Sequence, residues 1–326
     1  MKHPLNPARF VKVAVSATVM LAASPAPAAV YSSQAGTDWS LATTWTPAGV
    51  PGADDTATIS HAVTVTDSRS VDVFNMTGST LSMGASGGLT ILSGGTWTGG
   101  NITALGQGLA NQGVFNIAPV GSIILRGAFA NNGTVNYSGD DLFPLWLGKS
   151  SPTIFDNSAA GVFDFKSDID LIVWPEAGTS PRFNNFGTVR KSGGTGTSVI
   201  ASGIGFVNKA GGIIEVSSGT LQINNGNHEG GDFRAAGGAV LEFQTPGTTF
   251  AGSFTGSGTG AVKLATTFTV GAPGATFNLP GDLLQFTNGA VVATTPDAPF
   301  GNAGSMTLST SSIKSVSGSF VNAGAL

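Results

Sequence analysis

Phe129-Ala-Asn131-Asn-Gly133-Thr-Val-Asn-Tyr137, Phe155-Asp-Asn157-Ser-Ala-Ala-Gly161-Val-Phe-Asp-Phe165, Phe183-Asn-Asn185-Phe-Gly187-Thr-Val-Arg-Lys191 and Phe206-Val-Asn208-Lys-Ala-Gly-Gly212-Ile-Ile-Glu-Val216 are one phrase written four times. Each holds an aromatic, any residue, an asparagine, a glycine two to four positions on, and then a run with strand character. Leu109-Ala-Asn111-Gln-Gly113 opens the series, and Phe320-Val-Asn322-Ala-Gly324 repeats its beginning. Asn111, Asn131, Asn157, Asn185 and Asn208 are 20, 26, 28 and 23 residues apart. A period in the twenties is that of one coil of a β-solenoid. Stacking coils about 4.8 Å apart turns the phenylalanines into an internal stack and the asparagines into an amide ladder at a turn. The glycine after each asparagine is expected to supply the positive φ of a corner.

Working outward, short alternating runs at 57–59, 63–65, 71–74, 89–92, 213–216 and 262–264 are bounded by Gly, Asn, Ser or Pro, and no stretch beyond the N-terminus holds a helical period. From 219 to 270 the same rhythm continues with looser spacing, and the asparagine signature is next expected at Phe320. The fold class is therefore all-β, a parallel β-helix. Ahead of the repeats, Trp39 and Trp45 lead into Pro47, Gly49-Val50-Pro51 and Asp54-Asp55-Thr-Ala-Thr-Ile59. An open first coil exposes strand edges and core, so this tryptophan-containing segment, 29–60, is expected to act as a cap, with coils over 61–326.

This lead-in, followed by Gly/Asn repeats, resembles the N-terminal part of bacterial autotransporter passengers and related filamentous-haemagglutinin-like surface proteins. It is also similar to a small extracellular domain named for its eight glycines. The resemblance spans nearly the whole chain after the leader. It implies an exported, right-handed parallel β-helix that serves adhesion, surface structure or contact with polysaccharide. Two features of the autotransporter pattern are not seen in the sequence: a translocating β-barrel and a C-terminal sorting signal.

The N-terminus reads as an address. Lys2, Arg9 and Lys12 precede an apolar run from 13 to 23, and Ala26-Pro27-Ala28 offers the small-x-small pattern of a cleavage site after residue 28. The run is too short to span a bilayer, and no later run approaches the roughly 20 apolar residues a membrane helix needs. Export to the cell surface or medium follows. Loss of residues 1–28 takes three basic residues and no acid, leaving a formal charge of -7.

Composition excludes several functions. The 326 residues include 48 glycines and no cysteine, and only 10% are charged. Thiolate metal sites, disulfide scaffolds and cysteine nucleophiles are excluded. With a pI near 5.2, no nucleic-acid partner is expected. The mean hydropathy of +0.22 opposes disorder. Gly84-Ala-Ser86-Gly-Gly88 matches a nucleophile elbow and Gly256-Ser-Gly258-Thr-Gly-Ala261 a dinucleotide fingerprint, but neither is set beside a helix, so both are chance in a glycine-rich chain. His61 falls in a strand-like run and His228 in a Gly/Asn turn, without the spacing of a zinc protease. Asp54 and Asp55 read as turn or cap residues, with calcium the alternative.

One region stands out: residues 139–191 hold 12 of the 29 charges left after the leader, together with Trp146 and Trp174. Alternation over 162–174 assigns Phe163, Phe165, Ile169, Leu171 and Val173 to the core face. It assigns Asp164, Lys166, Asp168, Asp170 and Trp174 to the other face, an acidic ridge ending in an aromatic. Asp164, Asp168, Asp170, Trp146 and Trp174 are thus the candidate residues for a glycan or a cation, calcium being the one cofactor that carboxylates of this kind suggest. Paired carboxylates would also serve a polysaccharide lyase or hydrolase. The competing reading is a solvated face that keeps an apolar solenoid soluble. The expected function is a non-enzymatic structural or adhesive surface module whose partner is a glycan or envelope component. The alternatives are a polysaccharide-active enzyme and a glycan-binding module. At the other end, Phe320-Val-Asn322-Ala-Gly324 reproduces the opening of a coil and nothing after Gly301 resembles a cap, so the sequence is expected to be the N-terminal portion of a longer repeat protein or to have this end covered by another chain, with the last strand presenting an open, apolar edge.

Overall fold

The computed structural model describes residues 27–34 and 37–326. The leader reading covers residues 1–28, of which residues 1–26 lie outside the described residues. The rest is an all-β parallel solenoid of about 13 turns, 56% strand, with a single short 3-10 segment at Ala42–Thr44 among the described residues. A coil contributes three short strands. One coil consists of Ile154–Asn157, Val162–Phe165 and Leu171–Val173, and the next of Arg182–Asn185, Thr188–Lys191 and Thr197–Ile200. Each strand pairs in parallel with the one at the same place in the next coil, which sets Phe155 beside Phe183 beside Phe206 and Asn157 beside Asn185 beside Asn208.

Alternation within four-residue strands explains the core. In Arg182–Asn185 and Thr188–Lys191 every second residue faces inward and is buried, so Phe183, Asn185, Val189 and Lys191 line the interior. The rings of Phe155 and Phe183 stack at 4.6 Å with planes 8° apart, and Phe129 stacks on Phe155 at 4.7 Å. The asparagines are fully buried and form the expected ladder. Nδ2 of Asn111 donates to Oδ1 of Asn131 at 2.9 Å, Asn131 to Asn157 at 2.8 Å, Asn157 to Asn185 at 2.8 Å and Asn185 to Asn208 at 2.7 Å. The same Nδ2 groups reach backbone carbonyls, as Asn157 does with Gly161 and Thr188. A buried amide in hydrocarbon surroundings is tolerated because its donors and acceptor are satisfied.

The reason for the glycines differs from the expectation. Gly211, the first glycine after Asn208, takes the expected positive φ, at +85, but Gly113, Gly133, Gly161, Gly187 and Gly212 do not, and neither do the ladder asparagines, which lie in ordinary strands. What requires glycine is the neighbouring coil. A Cβ at Gly133 would collide with backbone of residues 112 and 113, and one at Gly187 with the carbonyls of Ser158 and Gly161. The corners stack backbone on backbone, so each is limited to hydrogen at that point.

Two further expectations are corrected. The stretch from 219 to 270 is as regular as the rest on one face, where Thr220–Ile223, Val240–Phe243 and Ala261–Leu264 stack in unbroken parallel register. The asparagine signature also returns before Phe320, at Phe300-Gly-Asn302, whose Nδ2 donates to Oδ1 of Asn322 at 2.7 Å. Coil pairing begins early, with Val30–Ser33 parallel to Thr56–Ile59. Trp45–Thr46 pairs antiparallel to the free edge of Val30–Ser33, and Asp38 bridges Thr64. Trp39 and Trp45 are buried edge-to-face at 4.7 Å, their Nε1 groups donating to the carbonyls of Pro51 and Trp39.

Candidate functional site

The charged region at 139–191 wraps one set of coils, and there the candidate carboxylates part company. The run 162–174 is not one continuous strand. Val162–Phe165 and Leu171–Val173 are separated by a corner over 166–170, so the three aspartates point to three places instead of forming a ridge.

Asp164 is on the outward side of its strand yet fully buried, covered by the side chains that neutralise it. Its Oδ2 accepts from Arg190 Nη2 at 2.6 Å, Lys166 Nζ at 2.8 Å and Ser192 Oγ at 3.0 Å, while Oδ1 has no partner. Burial raises its pKa, but the bonds from Arg190, Lys166 and Ser192 outweigh that and hold it below the usual aspartate value.

Asp168, at the corner, accepts from Lys191 Nζ at 2.7 Å and from the backbone N–H of Gly196 at 2.9 Å, and the lysine bond lowers its pKa. Lys191 is the residue sequence reading missed. It occupies an inward position and is completely buried, with its ammonium aimed at the corner, where it also donates to the carbonyls of Ser167 (3.1 Å) and Gly193 (2.9 Å) and to Ser198 Oγ (3.1 Å). The signal was present: Lys191 has the same parity as Val189, two residues earlier, and that parity is inward.

Asp170 accepts from the Val199 N–H at 2.7 Å, and its own N–H donates to Asp141 Oδ1 at 2.9 Å. Burial pushes its pKa up, with Asp141 adding to the rise. Tyr137 sits beneath, its hydroxyl donating to the Asp170 carbonyl and accepting from the Leu145 N–H, both at 2.6 Å, and burial pushes the phenol's pKa up. Glu176 accepts from Arg126 through both carboxylate oxygens, at 3.1 and 2.9 Å, and from the N–H groups of Lys149 and Ser150; these bonds, Arg126 first, hold its pKa down at about 2.

The two tryptophans are brought together. Trp146 projects outward from Leu145–Leu147 between Ile124 and Ile172 of the flanking coils, and Trp174 meets it edge-to-face at 5.1 Å. Both are half-buried. The Arg126–Glu176 pair lies alongside, since Gly148, next to it in the column, has Arg126 and Glu176 as its nearest neighbours. The result is a small outward apolar face edged by a bidentate ion pair.

His228 is not in a turn. It lies in Asn227–His228 at the register position of the ladder, next to Asn208, whose Nδ2 bypasses it for the carbonyls of Gly230 (2.8 Å) and Gly212 (3.2 Å). The imidazole is packed among Phe206, Phe233, Phe243 and Phe250 with neither ring nitrogen bonded, and burial lowers its pKa to about 3. It is an aromatic member of the stack. His61 sits between strands with Nδ1 2.9 Å from the Ser33 carbonyl. Asp55 behaves as a turn residue, accepting from the N–H groups of Ala29 and Gly52.

Among the described residues, no three or more His, Cys, Asp or Glu side chains gather at metal-ligating spacing, and no helix is long and apolar enough to cross a membrane. Set against protein-family models, curated proteins and solved structures, the chain has no match in any of the three comparisons.

Proposed function

We propose that this chain is an exported structural or adhesive module, a stiff solenoid that meets a cell-surface or envelope glycan through the outward face of Trp146 and Trp174. The observation that carries this reading is the division of labour at 139–191. The carboxylates a glycosidase or lyase would need are occupied by the chain's own cations and amides, whereas the tryptophan pair is half-exposed and faces outward. Indole faces stack on the apolar faces of sugar rings, and the Arg126–Glu176 pair supplies hydrogen-bonding groups at the rim.

The experiment is retention on a panel of immobilised acidic and neutral polysaccharides, followed by assay of the same mixtures for shortened chains. Retention without shortening is expected, and Trp146→Ala with Trp174→Ala should weaken it by about tenfold. Asp168→Ala with Asp170→Ala should affect stability more than retention. Release of oligosaccharide products overturns the non-enzymatic reading, and retention that ignores both tryptophans overturns the location.

A further inference from the structure

One face of the solenoid is built, coil upon coil, by Leu145–Leu147, Leu171–Val173, Thr197–Ile200, Thr220–Ile223, Val240–Phe243, Ala261–Leu264 and Leu284–Phe286. Its outward line begins at Trp146 and Ile172 and continues through Val199, Gln222, Glu242, Lys263 and Gln285, all partly exposed. The line steps aside once. Leu171 pairs with Ile200, so Val199 stands beside Asp170, two residues from Ile172, an offset of about 7 Å. Spread over the coil steps from Trp146 to Gln285, about 29 Å, that offset leaves the line close to the rod axis. The first part of the line is apolar and the second polar. Glu242 and Lys263 are cross-strand neighbours, yet among the described residues neither forms an ion pair or a hydrogen bond, in contrast to Asp164, Lys166 and Arg190 on the adjacent face, where the cations neutralise the carboxylate. Beside them is a shallow hollow of about 340 Å³ lined by Val240, Ala261, Lys263, Gln285 and the corner glycines Gly238 and Gly260. Gly238 has no atom within 4 Å of the place a Cβ would occupy, so the corner leaves that side of the hollow open.

We infer that this line is the path of a linear, uncharged, β-linked polysaccharide lying along the rod, one sugar ring to a coil. The inference rests on the reading of Trp146 and Trp174 given above and extends that site along the face as far as Gln285. Three features select this ligand. An extended chain of β-linked pyranose units advances by nearly one coil rise per ring, so a periodic ligand stays in step with a periodic surface. Pyranoses with equatorial hydroxyls present flat C–H faces, which suit Trp146, Ile172 and Val199. Their rim of hydroxyls, each both donor and acceptor, suits the amides of Gln222 and Gln285, the donor Lys263 and the acceptor Glu242. The two charges are adjacent and of opposite sign, so the line carries no net charge with which to recruit a charged chain.

The test is titration calorimetry of the 326-residue chain with β-1,4-linked glucose oligomers of two to six units. Affinity should rise with each added ring, by about tenfold in all. Glu242→Ala with Lys263→Ala should remove most of that gain and leave the two-unit ligand unaffected, whereas Trp146→Ala with Trp174→Ala should weaken every length by about tenfold. Both double variants change outward side chains, and unchanged urea midpoints establish that lost binding is not lost fold. A six-unit oligomer of galacturonic acid should bind more weakly than the neutral hexamer. If two and six units bind alike, or the hexamer ignores the Glu242 and Lys263 changes, the path along the axis is overturned while the tryptophan site stands. Tighter binding of the acidic hexamer, or no binding of any neutral oligomer, overturns the neutral class. Indifference of every length to the tryptophan changes overturns the reading on which the inference rests.

Discussion

Asn157 is the residue on which the interior depends most visibly. It is fully buried, accepts from Asn131, and donates to Asn185 and to two backbone carbonyls. Asn157→Leu would leave those partners unsatisfied in hydrocarbon, a loss of about 2–4 kcal/mol measurable by urea unfolding. The Lys191–Asp168 pair behaves differently from a surface ion pair. Asp168→Ala strands a buried ammonium and should cost about 2–3 kcal/mol, discounted for the partial exposure of Asp168, and adding Lys191→Met should restore part of that loss. His228 gives the pH dependence. Its folded pKa of about 3 lies below the ordinary 6.5, so the unfolded chain takes up a proton that the native core refuses. Stability is complete above about pH 6.5 and falls as pH drops, by up to about tenfold in the folding constant per unit. The Arg126-bound Glu176 begins to contribute only below its ordinary 4.5, and Asp170, whose pKa is raised, acts with the opposite sign, so falling stability between pH 6.5 and 5.5 belongs to the histidine. His228→Phe should flatten it in denaturant titrations at stepped pH, and an unchanged slope would place the titration elsewhere. At this scale the asparagines were legible because they recur. Lys191 and His228 were not, because a charged or polar residue at an inward position looks like surface unless the register is known, and register emerges only when coils are stacked.

At the scale of the coil, recurrence revealed the glycines but not their purpose. The repeat places one after every ladder asparagine, and corner conformation was the natural explanation. Conformation accounts for Gly211, at φ +85 with open space around it, and close stacking of corners is the constraint at Gly113, Gly133, Gly161, Gly187 and Gly212. The two causes make different predictions. Gly133→Ala, whose methyl would strike backbone of the preceding coil that has no room to yield, should cost about 3 kcal/mol or more. Gly238→Ala, at φ +82 with open space around the new methyl, carries only the conformational penalty of about 1 kcal/mol. Equal losses in thermal or urea unfolding would return the argument to conformation. The acidic ridge failed at this scale as well. Alternation was projected across 162–174 as though it were one strand, but a triangular coil turns a corner every few residues, and alternation restarts on each side. The regularity of the face built by Thr220–Ile223, Val240–Phe243 and Ala261–Leu264 was hidden for a related reason: the asparagines that mark the period lapse between Asn208 and Asn302 while the coils continue.

The whole molecule is a rod in which position along the axis, rather than position in sequence, sets distance. Repetition made this architecture legible, and the same property makes function hard to read, because a solenoid's outward side chains owe little to the pattern that specifies its core. The outward column Asn116, Asn136, Asp164, Arg190, Glu215, Arg234 and Ser257 runs straight through six coil-to-coil steps. Paired spin labels on cysteines introduced at these positions measure the rod directly, since the chain contains no other thiol. Labels at 116 and 215, four steps apart, should be separated by about 19 Å, and labels at 116 and 257, six steps apart, by about 29 Å, each broadened by the label arms. A constant increment of about 4.8 Å per coil is expected. Distances that fail to grow with coil number, or that follow sequence separation instead, would contradict it.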